Sequence, residues 1–364
     1  MKSAYIHIPF CNNICSYCDF CKLYYNKKWI NDYLNSLELE IKTNYKGEVL
    51  DTLYIGGGTP SCLSIQELKR LFEILKIFKL SKNFEFTFEC NIEDITLDKI
   101  KILKENRVNR LSIGIQSFNE KNIKLLNRNH TKEEVFEKIK LLKDNGFNNI
   151  NIDLIYAIPS QTLKELEQEL NYFLELDIPH ISTYSLIIEE NTKLYIGNYE
   201  NVSEELDYEM YKLINKKLSD YHHYEISNFS KVGYESRHNL TYWNNDSYYG
   251  FGLNATGYDG DFRYINTRNI NKYLNNNWLQ DKEEISFNEK IENAFILGFR
   301  KIDGIDIDEF KNKYNLDINS IDIVNKLIKE NKLINDKNNI KINKDYIYVS
   351  NEILIEFLGV KFYE

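Results

Sequence analysis

The chain lacks the features that mark disordered, secreted and membrane-spanning proteins. Its 364 residues contain only 4 prolines and 15 glycines, which argues against a disordered or fibrous composition. The longest apolar runs have the length of a strand and fall well short of the ~20 residues that span a membrane. The first ten residues, MKSAYIHIPF, include no long apolar stretch of the kind found in signal peptides. These absences predict a cytoplasmic location.

Positive charge is scarcer than negative charge, with 46 Lys and Arg against 55 Asp and Glu and a formal net charge of −9. The basic residues form no sustained run, so the sequence predicts no nucleic-acid partner. The chain has six cysteines. In a reducing compartment we interpret them as metal ligands or buried thiols rather than disulfides.

The first half of the chain repeats a strand followed by a helix. This order predicts parallel strands joined by right-handed crossovers, as in an open sheet or a partial barrel. A chain of this length suits one large α/β domain with one or two smaller ones. The predicted strands are 3–8, 51–58, 83–90, 109–116, 148–156 and 180–186.

The pattern changes after about residue 190. A helix is predicted over 202–220, and residues 221–265 are rich in Tyr, His, Asn and Gly with little periodicity. Near the C-terminus, helices are followed by the short predicted strands KLINDKNNIKI and YIYVSN and a last helix near 351–358. This order is typical of a winged-helix-like module. The predicted domains are 1–190, 191–285 and 286–364.

Polar residues follow the ends of the six predicted strands. In parallel α/β folds the active-site groups lie at the C-terminal ends of the strands, so these residues are expected to share one edge. In strand order they are Cys11, then Gly56 to Pro60, Glu89, Gln116, Asp153, and Tyr184 with Glu189.

The loop after the first strand, CNNICSYC, spaces Cys11, Cys15 and Cys18 by four and three residues. Three thiolates can bind three irons of a [4Fe-4S] cluster and leave the fourth iron open to another ligand. A structural zinc site needs four ligands, usually in two pairs, and no second pair follows. Cys21 is a candidate fourth ligand, although the interpretation we prefer for it, as for Cys62 and Cys90, is a buried thiol.

The other candidates each have a plainer alternative. Gly56 to Gly58 allow close approach of a ligand to the backbone, but a tight turn between strand and helix also needs glycine. Glu89 and Asp153 are ligand-binding carboxylates or helix caps. Arg128 suits a carboxylate ligand or is a solvated helix-end arginine.

Four segments together resemble the radical S-adenosylmethionine family: YIHIPFCNNICSYCDF, YIGGGTPS, IGIQSF with LNRNH, and DLIYAIPSQT. Within that family they resemble the oxygen-independent coproporphyrinogen III oxidase group, over roughly residues 4–310. The resemblance implies a partial (β/α)6 barrel, an α+β extension and a small C-terminal module. It also implies that Cys11, Cys15 and Cys18 hold the cluster. The S-adenosylmethionine site would comprise Tyr5, Tyr17, Gly57, Gly58, Thr59, Glu89, Gln116, Arg128 and Asp153.

The group has two branches, and two features favour the heme chaperones (HemW). The oxidases carry a fourth cysteine two residues after the third, where this chain has Phe20, and they have a long arm before the first strand. The chaperones are similar in the residues CDF at 18–20 and in an HNxxYW motif, here His238 to Trp243. The segments EISNFS and GFRKIDGIDIDEF also resemble that branch.

This resemblance implies a protein that binds the cluster, S-adenosylmethionine and heme, and delivers heme to an acceptor protein. His238 would be an axial ligand of the heme iron, and Tyr242 and Trp243 would pack on the porphyrin. Three alternatives stay open at this point. The chain is a coproporphyrinogen III oxidase or another radical enzyme, it is a zinc-stabilised binding protein, or His238 and Trp243 only pack the second domain. The acceptor could be membrane-bound, and the chain is a monomer or a homodimer.

Overall fold

A computed structural model describes residues 1–362, and its largest unit is a nine-stranded sheet of order β11-β1-β4-β5-β6-β7-β8-β10-β9. The strands are β1 Ser3–Ile8, β2 Phe10–Cys11, β3 Leu23–Tyr24, β4 Val49–Gly57, β5 Lys79–Asn91, β6 Arg110–Gln116, β7 Ile150–Tyr156, β8 His180–Ser185, β9 His222–Glu225, β10 Asn228–Ser230, β11 Tyr249–Phe251, β12 Thr256–Tyr258, β13 Phe262–Asn266, β14 Leu279–Glu284, β15 Ile305–Asp306, β16 Leu333–Asp336 and β17 Asn339–Ile342.

Fourteen α-helices accompany these strands in the described part of the chain. They are α1 Lys27–Asn44, α2 Ile65–Leu75, α3 Leu97–Glu105, α4 Glu120–Leu125, α5 Lys132–Asp144, α6 Leu163–Glu175, α7 Lys193–Ile196, α8 Glu204–Lys217, α9 Arg237–Trp243, α10 Ile270–Leu274, α11 Phe287–Gly298, α12 Ile307–Tyr314, α13 Asp322–Lys329 and α14 Ser350–Ile355. No helix within residues 1–362 is long and apolar enough to cross a membrane.

The six predicted strands are confirmed as β1, β4, β5, β6, β7 and β8. They pair in parallel with their neighbours in chain order. Alternate residues such as Ile113 on β6 and Ile152 on β7 point into the core under the helices, where they are fully buried. The residues between them face the opposite side of the sheet, where the cavity described below lies.

Local sequence explains where the crossover helices begin. Three of them, α2, α5 and α6, start with a Ser or Thr whose side chain accepts from the backbone three residues on, while a Glu there returns the bond. Such capping boxes fix the turn from strand to helix. Helix α5 ends before Gly146, whose φ of +79° suits glycine. The loops at the strand ends are therefore well defined.

The stretch with little periodicity, 221–265, contributes to the same large sheet. Strands β10 and β9 extend it antiparallel beyond β8, and β11 pairs in parallel with β1 at the other edge. These strands have only three or four residues, too short for a clear alternation. The predicted domain boundary near residue 190 stays a prediction, and the sheet takes strands from both sides of it.

The C-terminal region has a core of its own, built around Phe295, whose ring packs against the rings of Phe299, Phe310 and Phe357. A three-stranded sheet, β15-β17-β16, lies beside helices α11 to α14, so the predicted hairpin is confirmed. The predicted strand YIYVSN is wrong. A 3-10 turn forms at Lys344–Tyr346 because Asn343 caps it, and α14 follows. The winged-helix-like assignment stays a prediction.

Candidate cofactor site

The cysteine loop closes on itself and is held from both sides. Its ends meet because β2 pairs with β3, with the amide of Tyr25 donating to the carbonyl of Cys11 at 2.9 Å. Within the loop, the amide of Ser16 donates to Leu126 and its carbonyl accepts from Leu194, both at 3.1 Å. Anchoring by α4 and α7 thus fixes the middle of a loop that has little regular structure of its own.

The three predicted cluster ligands open onto one cavity of about 390 Å³ at the C-terminal ends of the strands. Thr59 Oγ1 donates to Cys11 Sγ, and Arg128 Nη1 donates to Cys15 Sγ, each at 3.5 Å. All six cysteines are free thiols. Burial raises the pKa of the Cys11 thiol to about 11, and the Thr59 hydrogen bond opposes that rise and so favours the thiolate, the form that binds iron. The residues at this site therefore fit a cluster held by three cysteines.

In residues 1–362, no three His, Cys, Asp or Glu side chains are close enough together to hold a single metal ion. A cubane cluster has a different requirement, because each thiolate binds its own iron. The remaining cysteines serve packing. Cys62 donates to the carbonyl of Phe10 at 3.3 Å, and Cys21 is buried behind the loop.

The three glycines at the end of β4, Gly56 to Gly58, are needed because neighbouring groups approach their backbone closely. A Cβ atom on Gly56 would lie 2.6 Å from the carboxylate of Glu89, and one on Gly57 would lie 2.8 Å from the ring of His7. On Gly58 it would meet the carbonyl of Pro9 at 2.7 Å and the Cys11 sulfur at 2.9 Å. The turn therefore lets its backbone lie directly between the cysteine loop and Glu89, more than a plain turn requires.

Glu89 is the central carboxylate of the cavity. Its two oxygens accept from the Tyr54 hydroxyl at 2.8 Å and from the Gly57 amide at 3.0 Å. Burial raises the pKa of Glu89 to about 7; the charge of Asp153 adds to the rise, while these two hydrogen bonds oppose it. A buried carboxylate held in this way suits a cationic ligand group such as an ammonium.

Arg128 bridges the cavity through a residue that sequence reasoning missed. Its Nη2 donates to Asn91 Oδ1 at 2.9 Å and also to the carbonyl of Gly114, while Asn91 donates to Thr59 Oγ1 at 3.3 Å. Asn91 ends β5, so the rule that selected Glu89 could have found it two residues later. Both terminal nitrogens of Arg128 therefore have protein partners.

Deeper in the cavity, Asn151 joins three strands. Its amide donates to Ser112 at 2.9 Å, to Asp153 at 2.9 Å and to Ser182 at 3.0 Å, and its oxygen bonds to His180. All of these residues except His180 line the cavity, as does Arg110. Of these residues only Asp153 was predicted from a motif; for Arg110, Ser112, Asn151 and Ser182 the alternation along the strands is the available signal.

Most of the predicted S-adenosylmethionine residues share this cavity, and Tyr5 does not. The Tyr5 hydroxyl bonds to His7 Nδ1 at 2.9 Å and faces a second groove with Cys21 and Tyr242. The predicted residues that line the cavity are Cys11, Cys15, Tyr17, Cys18, Gly57, Gly58, Thr59, Glu89, Gln116, Arg128 and Asp153.

The HNLTYW segment forms helix α9, which lies against β4 and β5. Glu85 accepts from the amides of Arg237 and His238, both at 3.0 Å, and so anchors the first turn of the helix. Asn239 reaches the cavity itself. The motif predicted for heme therefore lies beneath the predicted S-adenosylmethionine site.

His238 is only 1% exposed, and both of its ring nitrogens are engaged. Nδ1 bonds to Thr52 Oγ1 and Nε2 bonds to the Tyr242 hydroxyl, each at 2.8 Å. In this conformation His238 presents no nitrogen to a heme iron. Trp243 points elsewhere, into a groove against the C-terminal region, with Arg300 over its ring at 5.4 Å.

Comparison with known proteins agrees with this geometry. A sequence profile of the Radical SAM superfamily matches residues 5–173. The solved structure of Escherichia coli coproporphyrinogen III oxidase (HemN), a radical SAM enzyme, superimposes with a TM-score of 0.85 over 98% of this chain and 90% of that chain. Its sequence identity is 22%, so this likeness shows the fold alone. Fold and cysteine cavity are those of a radical SAM protein, whose cofactors are a [4Fe-4S] cluster and S-adenosylmethionine.

Relatives found by sequence similarity narrow the class of radical SAM proteins to one family. "Heme chaperone HemW" of Bacillus subtilis is 38% identical, with 99% of this chain and 100% of the relative covered. The protein of the same name from Lactococcus lactis is 39% identical, covering 98% and 97%. The Escherichia coli protein is 32% identical over 85% of each chain. This chain belongs to the HemW family, as its CDF and HNxxYW motifs predicted.

Proposed function

We propose that this protein is a heme chaperone that holds a [4Fe-4S] cluster, S-adenosylmethionine and heme, and passes the heme to an acceptor protein. The observation that carries the proposal is full-length similarity to relatives named heme chaperones. The alternative, coproporphyrinogen III oxidase, rests on a shared fold at 22% identity and on no catalytic residue of this chain. We place the protein in the cytoplasm, as a monomer or homodimer whose acceptor could be membrane-associated.

In this proposal, different residues of the cavity bind the cluster and S-adenosylmethionine. Cys11, Cys15 and Cys18 would hold the cluster, and three protein ligands would leave one iron open to S-adenosylmethionine. Glu89 accepts the ammonium group of that ligand, because it is the buried carboxylate nearest the glycine turn. The further groups proposed to bind S-adenosylmethionine are Tyr5, Tyr17, Gly57, Gly58, Thr59, Gln116, Arg128 and Asp153.

Heme binding is assigned to helix α9, through His238, Tyr242 and Trp243, of which Trp243 would first have to leave its groove against the C-terminal region. Burial, with a smaller contribution from the charge of Arg110, lowers the pKa of His238 to about 3, so its imidazole is neutral. Neutral imidazole is the form that ligates iron. Because Tyr242 occupies Nε2, the helix must release that hydroxyl before the nitrogen can reach a heme.

The test is heme titration of the anaerobically reconstituted protein. His238→Ala is expected to weaken heme binding at least tenfold while the cluster absorbance is unchanged. His223→Ala is the matched control, since that imidazole stacks on Phe229 and bonds to the carbonyl of Ile226, not to helix α9. Equal heme affinity of the His238 variant and the wild type would remove His238 from the proposal.

The same preparation separates the chaperone from the oxidase. Incubation with coproporphyrinogen III, dithionite and S-adenosylmethionine is expected to give no protoporphyrinogen IX, while heme moves from the protein to an apo-acceptor. Product formation from coproporphyrinogen III would favour the oxidase instead.

A further inference from the structure

Arg110 is a buried cation that the proposed cofactor residues do not use. It begins β6 and is 2% exposed. Along this strand Leu111 and Ile113 enter the core under the helices, whereas Arg110 and Ser112 face the cavity. The guanidinium therefore faces the cavity and not the core under the helices.

The guanidinium of Arg110 acts on Glu89 and Asp153 through its charge, which opposes the rise in the pKa of both carboxyls, and not through a hydrogen bond. None of the hydrogen bonds and ion pairs within residues 1–362 includes its guanidinium, and its Nε is buried without an acceptor. A guanidinium has five N–H donors, and leaving buried donors without an acceptor is unfavourable. The cavity thus contains donors suited to bind an anionic group of a ligand.

Acceptors already in the cavity are committed to other donors. Glu89 accepts hydrogen bonds from the Tyr54 hydroxyl and the Gly57 amide. Asp153 accepts one from the Asn151 amide at 2.9 Å. Arg128 differs from Arg110, because both of its terminal nitrogens already have partners. Of the two cavity arginines, Arg110 is the one free to bind an anion through its planar fork.

The proposed ligands limit which anion that can be. S-adenosylmethionine and heme both carry carboxylates, and neither has another anionic group. A guanidinium binds a carboxylate through two parallel N–H···O bonds. We infer that Arg110 receives a carboxylate of the ligand that enters the cavity, either the methionine carboxylate of S-adenosylmethionine or a propionate of heme. The heme alternative rests on the proposed function, while the S-adenosylmethionine alternative does not.

The test compares each ligand with its uncharged counterpart. Arg110→Met is titrated with S-adenosylmethionine and decarboxylated S-adenosylmethionine, and with heme and heme dimethyl ester. For one of the two pairs we expect the variant to lose at least tenfold in affinity for the carboxylate form and less than threefold for the other form. The pair that shows the difference identifies the source of the carboxylate. Arg70→Met is the matched control, because Arg70 pairs with Glu38 on the outer surface.

Two results would overturn the inference. Equal losses for both members of a pair would mean that Arg110 acts only by its charge on Glu89 and Asp153. Unchanged affinity for all four ligands would mean that the N–H groups of Arg110 bind only water. If Arg110→Met fails to hold its cluster, Arg110→Lys serves instead, since it keeps the charge and loses the fork; the same selective loss is expected, at least threefold. A wild type that binds no heme contradicts the proposed function, and the S-adenosylmethionine pair still decides the role of Arg110.

Discussion

The two ends of the cavity are built differently. At its mouth, defined by the cysteine loop, the glycine turn, Asn91 and Arg128, polar groups are paired with one another around Cys11 and Cys15, although the Nε of Arg128 has no partner. At its floor, defined by Arg110, Asn151 and helix α9, a free guanidinium lies beside a histidine whose nitrogens are both occupied. The mouth is organised for its ligand in advance, whereas the floor must rearrange or receive a partner.

This difference suggests a division of work. A paired, rigid mouth holds its ligand without paying for reorganisation, which suits a resident cofactor. At the floor, Arg110 has unbonded donors and His238 has both nitrogens in hydrogen bonds. This arrangement suits a ligand that binds reversibly, since binding there requires an exchange of hydrogen bonds. Three substitutions test whether the two ends are as independent as their contacts indicate.

The largest effect is expected at the mouth. Replacing Cys15 by Ala removes one of three thiolates, and we expect loss of essentially all iron and visible absorbance after reconstitution. Cys62→Ser provides the comparison, because Cys62 only donates to the Phe10 carbonyl and a hydroxyl can do the same. If the Cys15 variant kept a full cluster, the assignment of the loop would be wrong.

A smaller effect on ligand binding is expected at Glu89, beside the glycine turn. Glu89→Gln should weaken S-adenosylmethionine binding by about 10- to 100-fold, since a hydrogen bond to a charged group contributes about 1.5–3 kcal/mol. The wild type should also lose affinity as the pH falls below about 7, where Glu89 becomes protonated, and the variant should show no such slope. Calorimetry between pH 6 and 8 measures both.

Glu169→Gln is the matched control for this experiment. Burial raises the pKa of Glu169 to about 7 as well, but the side chain bonds to Ser117 outside the cavity. If this control lost the same affinity, or if Glu89→Gln kept the pH slope of the wild type, Glu89 would not be the ammonium acceptor.

The smallest effect is expected at the floor, where the substitution should strengthen ligand binding instead of weakening it. Tyr242→Phe removes the hydroxyl that occupies His238 Nε2, so heme should bind roughly 2- to 10-fold more tightly, in line with the ~0.5–1.5 kcal/mol of one net hydrogen bond. Tyr248→Phe is the control, because that ring packs edge-on against Tyr242 at 4.7 Å and does not contact the histidine nitrogen. Weaker heme binding by Tyr242→Phe would show that the hydroxyl serves the heme directly.

The same contrast explains what the sequence could reveal. Cys11, the glycine turn and Glu89 were predictable because each follows a strand whose apolar pattern is plain, and parallel strands bring their ends to one edge. Arg110 lies at the start of a strand, yet the alternation of Arg110, Ser112, Gly114 and Gln116 with apolar residues already indicated its side of the sheet.

Other features depend on contacts that no local pattern encodes. The closed state of His238 requires Thr52, far away in the chain, and the short strands β9 to β11 exist only because the large sheet offers them an edge. A motif can thus name a histidine as a heme ligand without indicating that its nitrogens are occupied. The strand predicted for YIYVSN was wrong for a related reason. The helical turn capped by Asn343 outweighed the strand preference of its β-branched and aromatic residues.

The pairing of β1 with β11 has a consequence for biosynthesis. Strand β1 leads into the cysteine loop, and its second neighbour is supplied by Tyr249 to Phe251, with residue 5 opposite residue 250. A ribosome releases the N-terminal end first, so this edge stays half-formed until more than two-thirds of the chain has been made. Pairing across such a separation is slow to form. The sheet edge beside the cysteine loop is therefore completed only after Tyr249 to Phe251 have been synthesised.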